Sequence, residues 1–226
     1  MIADTDTQRD YALTDIVNPP KLHSVDTAVP TPRRRYVAVD LETTTLDRRF
    51  AEPLEIAAVE FDPLDSGVYI DARSFVPHHK PELLHRADPE ALSVNRYYER
   101  RLYDQMLSPA ETDSAAIGLV EMLTGATLVC ANPSYDSIIL WCWLSKVRPE
   151  LAREPWHFRH YDVSLATAVE LGLDAIPGLA KCAELWDISD GRLNRPGDWH
   201  TASYDAFMAA DVCAAVTASM RARCDA

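Results

Sequence analysis

The sequence predicts an α/β domain with a mixed central sheet that begins with three antiparallel strands and is flanked by helices. Three observations predict it. Apolar runs joined by short links fill residues 36–77. From residue 109 onward, helical patterns alternate with short strand-like runs and end in a long Ala-rich segment. The 226 residues, 47% of them hydrophobic, are also enough to bury one core.

Residues 1–34 are polar and Pro-containing and end in "AVPTPRRR", which reads as an extension or arm. Residues 35–226 read as a single domain, because no Gly/Ser-rich or Pro-rich seam divides them. "RYVAVDLE" is the first strand. "LEIAAVEFD", from Leu54, alternates as a second, and "GVYIDARSFVP" follows the turn "DPLDSG" as a third. In "DPEALSVNRYYERRLYD", Asp88 and Pro89 suit the cap and first turn of a helix. In "SPAETDSAAIGLVEMLTG", Ser108, Pro109 and Glu111 predict a capping box and Gly125 the stop, with Ile117, Val120 and Leu123 as the buried stripe. "ATLVCAN" predicts a short strand, parallel because a helix precedes it. "SYDSIILWCWLSKV" predicts a helix buried almost all round, and "WHFRHYDVS" a further strand. "LATAVELG" and "GLAKCAELW" follow as helices, and a terminal helix starts near Thr201.

Composition excludes several classes. No apolar run is long enough to span a bilayer and no basic-then-apolar leader opens the chain, so the expectation is a cytoplasmic protein with no membrane partner. The five cysteines lack Cys-x-x-Cys spacing and read as reduced core thiols, not as a zinc site or disulfide framework. A net charge of −13 argues against sequence-independent coating of a nucleic-acid backbone. It leaves room for an enzyme that grips a few nucleotides, since bound cations invert the local field. No Gly-x-Gly-x-x-Gly follows a strand, so dinucleotide binding has little support.

The chemistry-bearing residues are acidic. Asp40 and Glu42 stand two apart in the first strand, so their side chains share a face. Two carboxylates that close repel, and either an arginine, an edge position or a metal ion must relieve them. Asp136 follows the "CAN" strand end, where active groups of α/β sheets gather, although a helix-start charge would also sit there. Asp205 lies in the Ala-rich helix, and His200 immediately precedes that helix. The helix dipole does not favour a cationic histidine there, which suits a base. His200 and Asp205 are five apart and share a site only if His200 lies outside the regular helix, at the Pro196–Gly197 break. An oxygen-only ligand set suits Mg²⁺ or Mn²⁺ and not zinc, and two such ions can promote phosphodiester cleavage. Arg96, Tyr97, Tyr98, Arg100 and Arg101 would offer cations and stacking faces to a single strand, or else the aromatics cover the core.

The motifs "VDLETT" (39–44), "NPSYD" (132–136) and "HTASYDA" (200–206) resemble, in order and spacing, the three exonuclease motifs of the DEDD superfamily in its histidine-containing branch. That branch includes proofreading subunits of bacterial DNA polymerases, oligoribonuclease and ribonuclease T. The resemblance covers roughly residues 36–220 and implies a ribonuclease-H-like exonuclease fold with 3′→5′ removal of nucleotides. It implies two Mg²⁺ (or Mn²⁺) held by Asp40, Glu42, Asp136 and Asp205, with His200 as general base. Leu41, Thr43, Thr44 and Asn132, with Arg96 and Tyr97, would contact substrate. The implied partner is the 3′ end of a single-stranded nucleic acid, DNA or RNA; a homodimer and association with replication or repair proteins stay open. "PLEIAAV" also matches the family's apolar strand containing Glu and Ile. One departure is Thr45, where the family commonly has Gly; a β-branched residue resists a positive-φ turn. The competing readings are an oligoribonuclease-type RNA exonuclease and a non-catalytic binding or scaffold module.

Overall fold

The computed structural model describes residues 34–188 and 200–225. The arm expected over residues 1–34 therefore lies, apart from Arg34, outside the described residues, as does the Pro196–Gly197 break. β1 (Tyr36–Thr43), β2 (Pro53–Phe61) and β3 (Tyr69–Phe75) form the expected antiparallel meander. β4 (Thr127–Cys130) pairs in parallel with the other edge of β1, and the two-residue β5 (Tyr161–Asp162) pairs with β4. The order β3-β2-β1-β4-β5 puts the strand bearing Asp40 and Glu42 at the centre.

Among the described residues, seven α-helices flank the sheet: α1 (Pro89–Val94), α2 (Leu102–Gln105), α3 (Pro109–Leu123), α4 (Pro133–Val147), α5 (Val163–Leu171), α6 (Leu179–Leu185) and α7 (Ala202–Cys224). Alternate residues of β1 serve two cores. Val37, Val39 and Leu41 pack with Leu119, Leu123, Leu140 and Leu144 of α3 and α4. Ala38 packs with Ala206, Ala209, Ala210 and Cys213 of α7, whose small side chains let the helix lie close to the sheet. By the period of two, Asp40 and Glu42 point to the α7 side.

Local signals set the helix ends. Ser108 accepts from the Glu111 N–H at 3.3 Å, and the Glu111 carboxylate accepts from the Ser108 N–H at 2.8 Å, closing the capping box. Gly125 (φ 71°) and Gly172 (φ 64°) take the left-handed conformation that ends α3 and α5. Asp88 caps α1 through the Glu90 N–H.

Several expectations need correction. β2 is buried at all nine positions and does not alternate, because α7 covers one face and α3 and α4 the other. Ile117 is 39% exposed; α3 instead buries Thr112, Ala116, Leu119, Met122 and Leu123. Gly118 sits against the Arg73 side chain, where a Cβ would come within 2.1 Å of Nη1. α4 is amphipathic, with Ile138 and Cys142 exposed. Residues 156–160 are not strand. All five cysteines are free, but Cys142 and Cys224 are exposed and only Cys130, Cys182 and Cys213 are core thiols. The segment after Val94 is not a continuing helix: Arg96 and Arg101 both adopt φ 53°, which breaks it into turns. No described helix is long and apolar enough to cross a membrane.

Candidate active site

The C-terminal end of β1 meets the first turns of two helices. β1 carries Asp40 and Glu42. Asp136 and Asp205 each occupy the fourth position of a helix, α4 and α7, and their N–H groups bond back to Asn132 and Thr201 at 3.2 and 3.0 Å. Thr201 caps α7 by accepting from the Tyr204 N–H at 3.1 Å. Both helices thus direct their positive dipole ends toward the end of β1.

Carboxylate oxygens of Asp40, Glu42 and Asp205 lie within 4.8 Å of one another. Asp136 stands outside that group, yet its charge acts on Asp40 and Glu42. Burial is the largest cause of raised pKa values throughout. It pushes Asp40 well above the usual carboxylate range, with Asp136, Asp205, Glu42 and Glu55 adding repulsion. It carries Glu42 to about 8, with Asp205 and Glu55 raising it and Arg100 opposing them. Asp136 rises to about 7 despite a hydrogen bond from its own N–H, and Asp205 rises to about 7 with Glu55 adding to burial. Crowded acids of this kind are a candidate cation site, and Asp40, Glu42 and Asp205 are placed so that together they could hold a metal ion. The donors are all oxygens, which suits a hard divalent ion.

His200 lies outside α7, two residues before its first, with φ 61°. Its side chain is exposed, and its carbonyl accepts from Arg100 Nη1 at 3.3 Å.

The other candidates separate into three kinds. Leu41 and Thr43 line a cavity of about 190 Å³ beside Glu42, with Leu46, Ala91, Val94 and Tyr135. Asn132 is exposed at the start of α4, its Oδ1 accepting from Ser134 Oγ at 2.8 Å, and Arg96 is exposed on its turn. Thr44 and Tyr97 are structural. Thr44 is buried and binds the Glu52 N–H through Oγ1 and the Asp88 N–H through its carbonyl. Tyr97 is 0% exposed, packed with Leu54, Val76, Leu92 and Leu102, and so offers no stacking face to a substrate. Its neighbour Tyr98 is the exposed one. Thr45 needs no left-handed conformation. Its carbonyl accepts from the Tyr135 hydroxyl at 2.6 Å, and its Oγ1 from the Asp47 N–H at 3.2 Å.

Comparison with solved structures gives the architecture a precedent. The chain matches E. coli exonuclease I in complex with a dT13 oligonucleotide at TM-score 0.61 and 12% identity, over 85% of this chain and 43% of that one. The fold is the ribonuclease-H-like exonuclease fold. Exonuclease I of Methylocaldum szegediense shares it at TM-score 0.58 and 17% identity, over 82% of this chain and 40% of that one. Exonuclease X, in complex with 5′-overhanging duplex DNA, shares it at TM-score 0.54 and 16% identity, over 81% of this chain and 92% of that one. The chain thus spans about two fifths of the exonuclease I chains. No family model and no curated protein matches the sequence.

Glu55, which sequence reasoning did not assign to the site, and Arg100, which it read as a cation for a single strand, instead pair with each other behind the acidic face. Glu55 lies opposite Glu42 in the β1–β2 register, and Arg100 Nη2 donates to its Oε2 at 2.7 Å. The available signal was Glu55 itself, a carboxylate in an apolar strand that must find a cation.

Proposed function

We propose that the protein is a metal-dependent 3′→5′ exonuclease of the histidine-containing DEDD branch, acting on single-stranded nucleic acid, DNA foremost. The observation that carries this reading is the convergence of Asp40, Glu42 and Asp205 within 4.8 Å, beside Asp136, where burial first and mutual repulsion second raise their pKa values. Asp40, Glu42 and Asp205 would hold one Mg²⁺ or Mn²⁺, and Asp40 with Asp136 would support a second. Such ions, when bound, favour ionised water as nucleophile and neutralise charge on the departing oxygen. His200 is the base that takes the proton from the attacking water, from a place outside the helix that leaves its ring free to approach. Leu41 and Thr43 present an apolar wall and a hydroxyl to the terminal nucleoside in the cavity beside Glu42. The single-stranded oligonucleotide bound by exonuclease I supports a single strand as ligand.

The test uses 5′-labelled and 3′-labelled DNA and RNA oligomers with Mg²⁺, Mn²⁺ or EDTA, and Asp40→Asn alongside. The expected product is a metal-dependent 3′→5′ ladder of 5′-labelled fragments that Asp40→Asn abolishes. Internal cuts, or activity that persists in excess EDTA, would overturn the reading.

A further inference from the structure

Arg100 joins three segments that are far apart in the sequence. Nη2 donates to Glu55 Oε2 on β2 at 2.7 Å, while Nη1 donates to the Asn95 carbonyl at 3.2 Å and the His200 carbonyl at 3.3 Å. The same Glu55 oxygen accepts from the N–H of Ala202, the first residue of α7, at 3.3 Å. Asn95 in turn donates from Nδ2 to the Thr43 carbonyl, also at 3.3 Å, one residue past Glu42. One guanidinium therefore ties the end of β1, the middle of the sheet and the start of α7 together. The Arg100 and Glu55 side chains are 16% and 9% exposed, so the pair is largely out of water and neither partner can be removed without stranding the other.

The backbone at His200 needs such a tie. A φ of 61° is the left-handed region, which costs a residue with a Cβ about 1–2 kcal/mol. A histidine keeps it only when its surroundings hold it there. The His200 carbonyl is held by Arg100, and Ala202, two residues on, is held by Glu55. Those two bonds hold the main chain at His200 and just after it.

We propose that Arg100, braced by Glu55, is a positioning residue for His200: it fixes the left-handed main chain so that the imidazole approaches the Asp40–Glu42–Asp205 carboxylates from one direction. This rests on His200 being the base in the reaction proposed above. Arg100 touches neither substrate nor metal in this role; its charge also opposes the rise at Glu42, so the test must keep that charge while removing the bond to the His200 carbonyl.

Arg100→Lys tests it, because an ammonium keeps the charge beside Glu55 but cannot span three acceptors on three segments. The expected result is a kcat lowered about tenfold or more with KM held within about twofold. In a His200→Ala background the same substitution should cost less than about twofold, since the residue it acts through is gone. Equal losses in both backgrounds overturn the proposal. A second readout needs no turnover: broadening of the His200 ring signals by bound Mn²⁺ in NMR spectra should weaken in Arg100→Lys at saturating Mn²⁺. Unchanged broadening overturns the proposal as well. Should Arg100→Lys not fold, Glu55→Gln enters the same cycle, with non-additivity expected and additivity overturning it. A wild-type protein that shows the broadening pattern but cleaves no oligonucleotide would sink the exonuclease reading and leave the positioning role standing.

Discussion

Asp40 is the residue on which the acidic site turns. It is pushed up by burial first and then by four neighbouring carboxylates, so its charge costs stability wherever no cation answers it. Asp40→Asn should therefore stabilise the metal-free protein near pH 8 and lower cleavage on the order of 10³-fold. Thermal melting in EDTA, paired with the oligomer assay, checks both halves. The same acids set a pH dependence. Glu42 at about 8 and Asp136 and Asp205 at about 7 hold protons in the folded state that the unfolded chain has released by about pH 5. The native state then binds more protons than the unfolded one, so stability falls as pH rises from about 5 to 8. Mn²⁺ or Mg²⁺ favours the ionised forms, and the increase in Tm that it brings should grow across the same window. A metal-free Tm that stays flat over that window would contradict the raised values.

Tyr97 and Tyr98 show how adjacent residues divide at the scale of an element. The left-handed turns at Arg96 and Arg101 drive Tyr97 into the core beside Leu54 and Leu102 and leave Tyr98 56% exposed. Tyr97→Ala should cost about 3–5 kcal/mol by chemical denaturation, while Tyr98→Ala stays within about 0.5 kcal/mol. Greater loss from Tyr98→Ala would mean the segment packs the other way round. The capping box of α3 is a cleaner local case. Ser108→Ala should cost about 1 kcal/mol and leave cleavage rates unchanged, because α3 contributes no side chain to the acidic cluster. The box was legible from Ser108, Pro109 and Glu111 because capping is decided within four residues. The rotation of that helix was not. A stripe through Ile117 and one through Ala116 both fit the helical period, and which of them is buried depends on where the sheet and Arg73 lie.

The whole molecule carries a net charge of −13, and several arginines are already occupied by carboxylates: Arg35 by Glu60, Arg49 by Asp47, Arg148 by Asp113. Grip on a nucleic acid through backbone cations should then be slight. Binding of single-stranded DNA to Asp40→Asn or to wild type in EDTA should be weak, and with Mg²⁺ the salt slope should report only about one to three phosphates. Fluorescence anisotropy across a salt series measures it, and a steep slope in EDTA would point to a basic face outside this account.

The Asp40–Glu42 pair, the strand that bears it and the caps of α1 and α3 were legible in the sequence itself, since a period of two and a capping residue act over a few positions. The placing of Asp136 and Asp205 at helix starts was legible for the same reason, through a short strand end and an Ala-rich run. Tertiary structure alone decided that Glu55 meets Arg100, that Thr44 and Tyr97 are buried and that His200 bends left-handed. Those outcomes join segments 45 to 100 residues apart. Their physical cause is the cost of an uncompensated buried charge, which is felt only once the chain has closed around it.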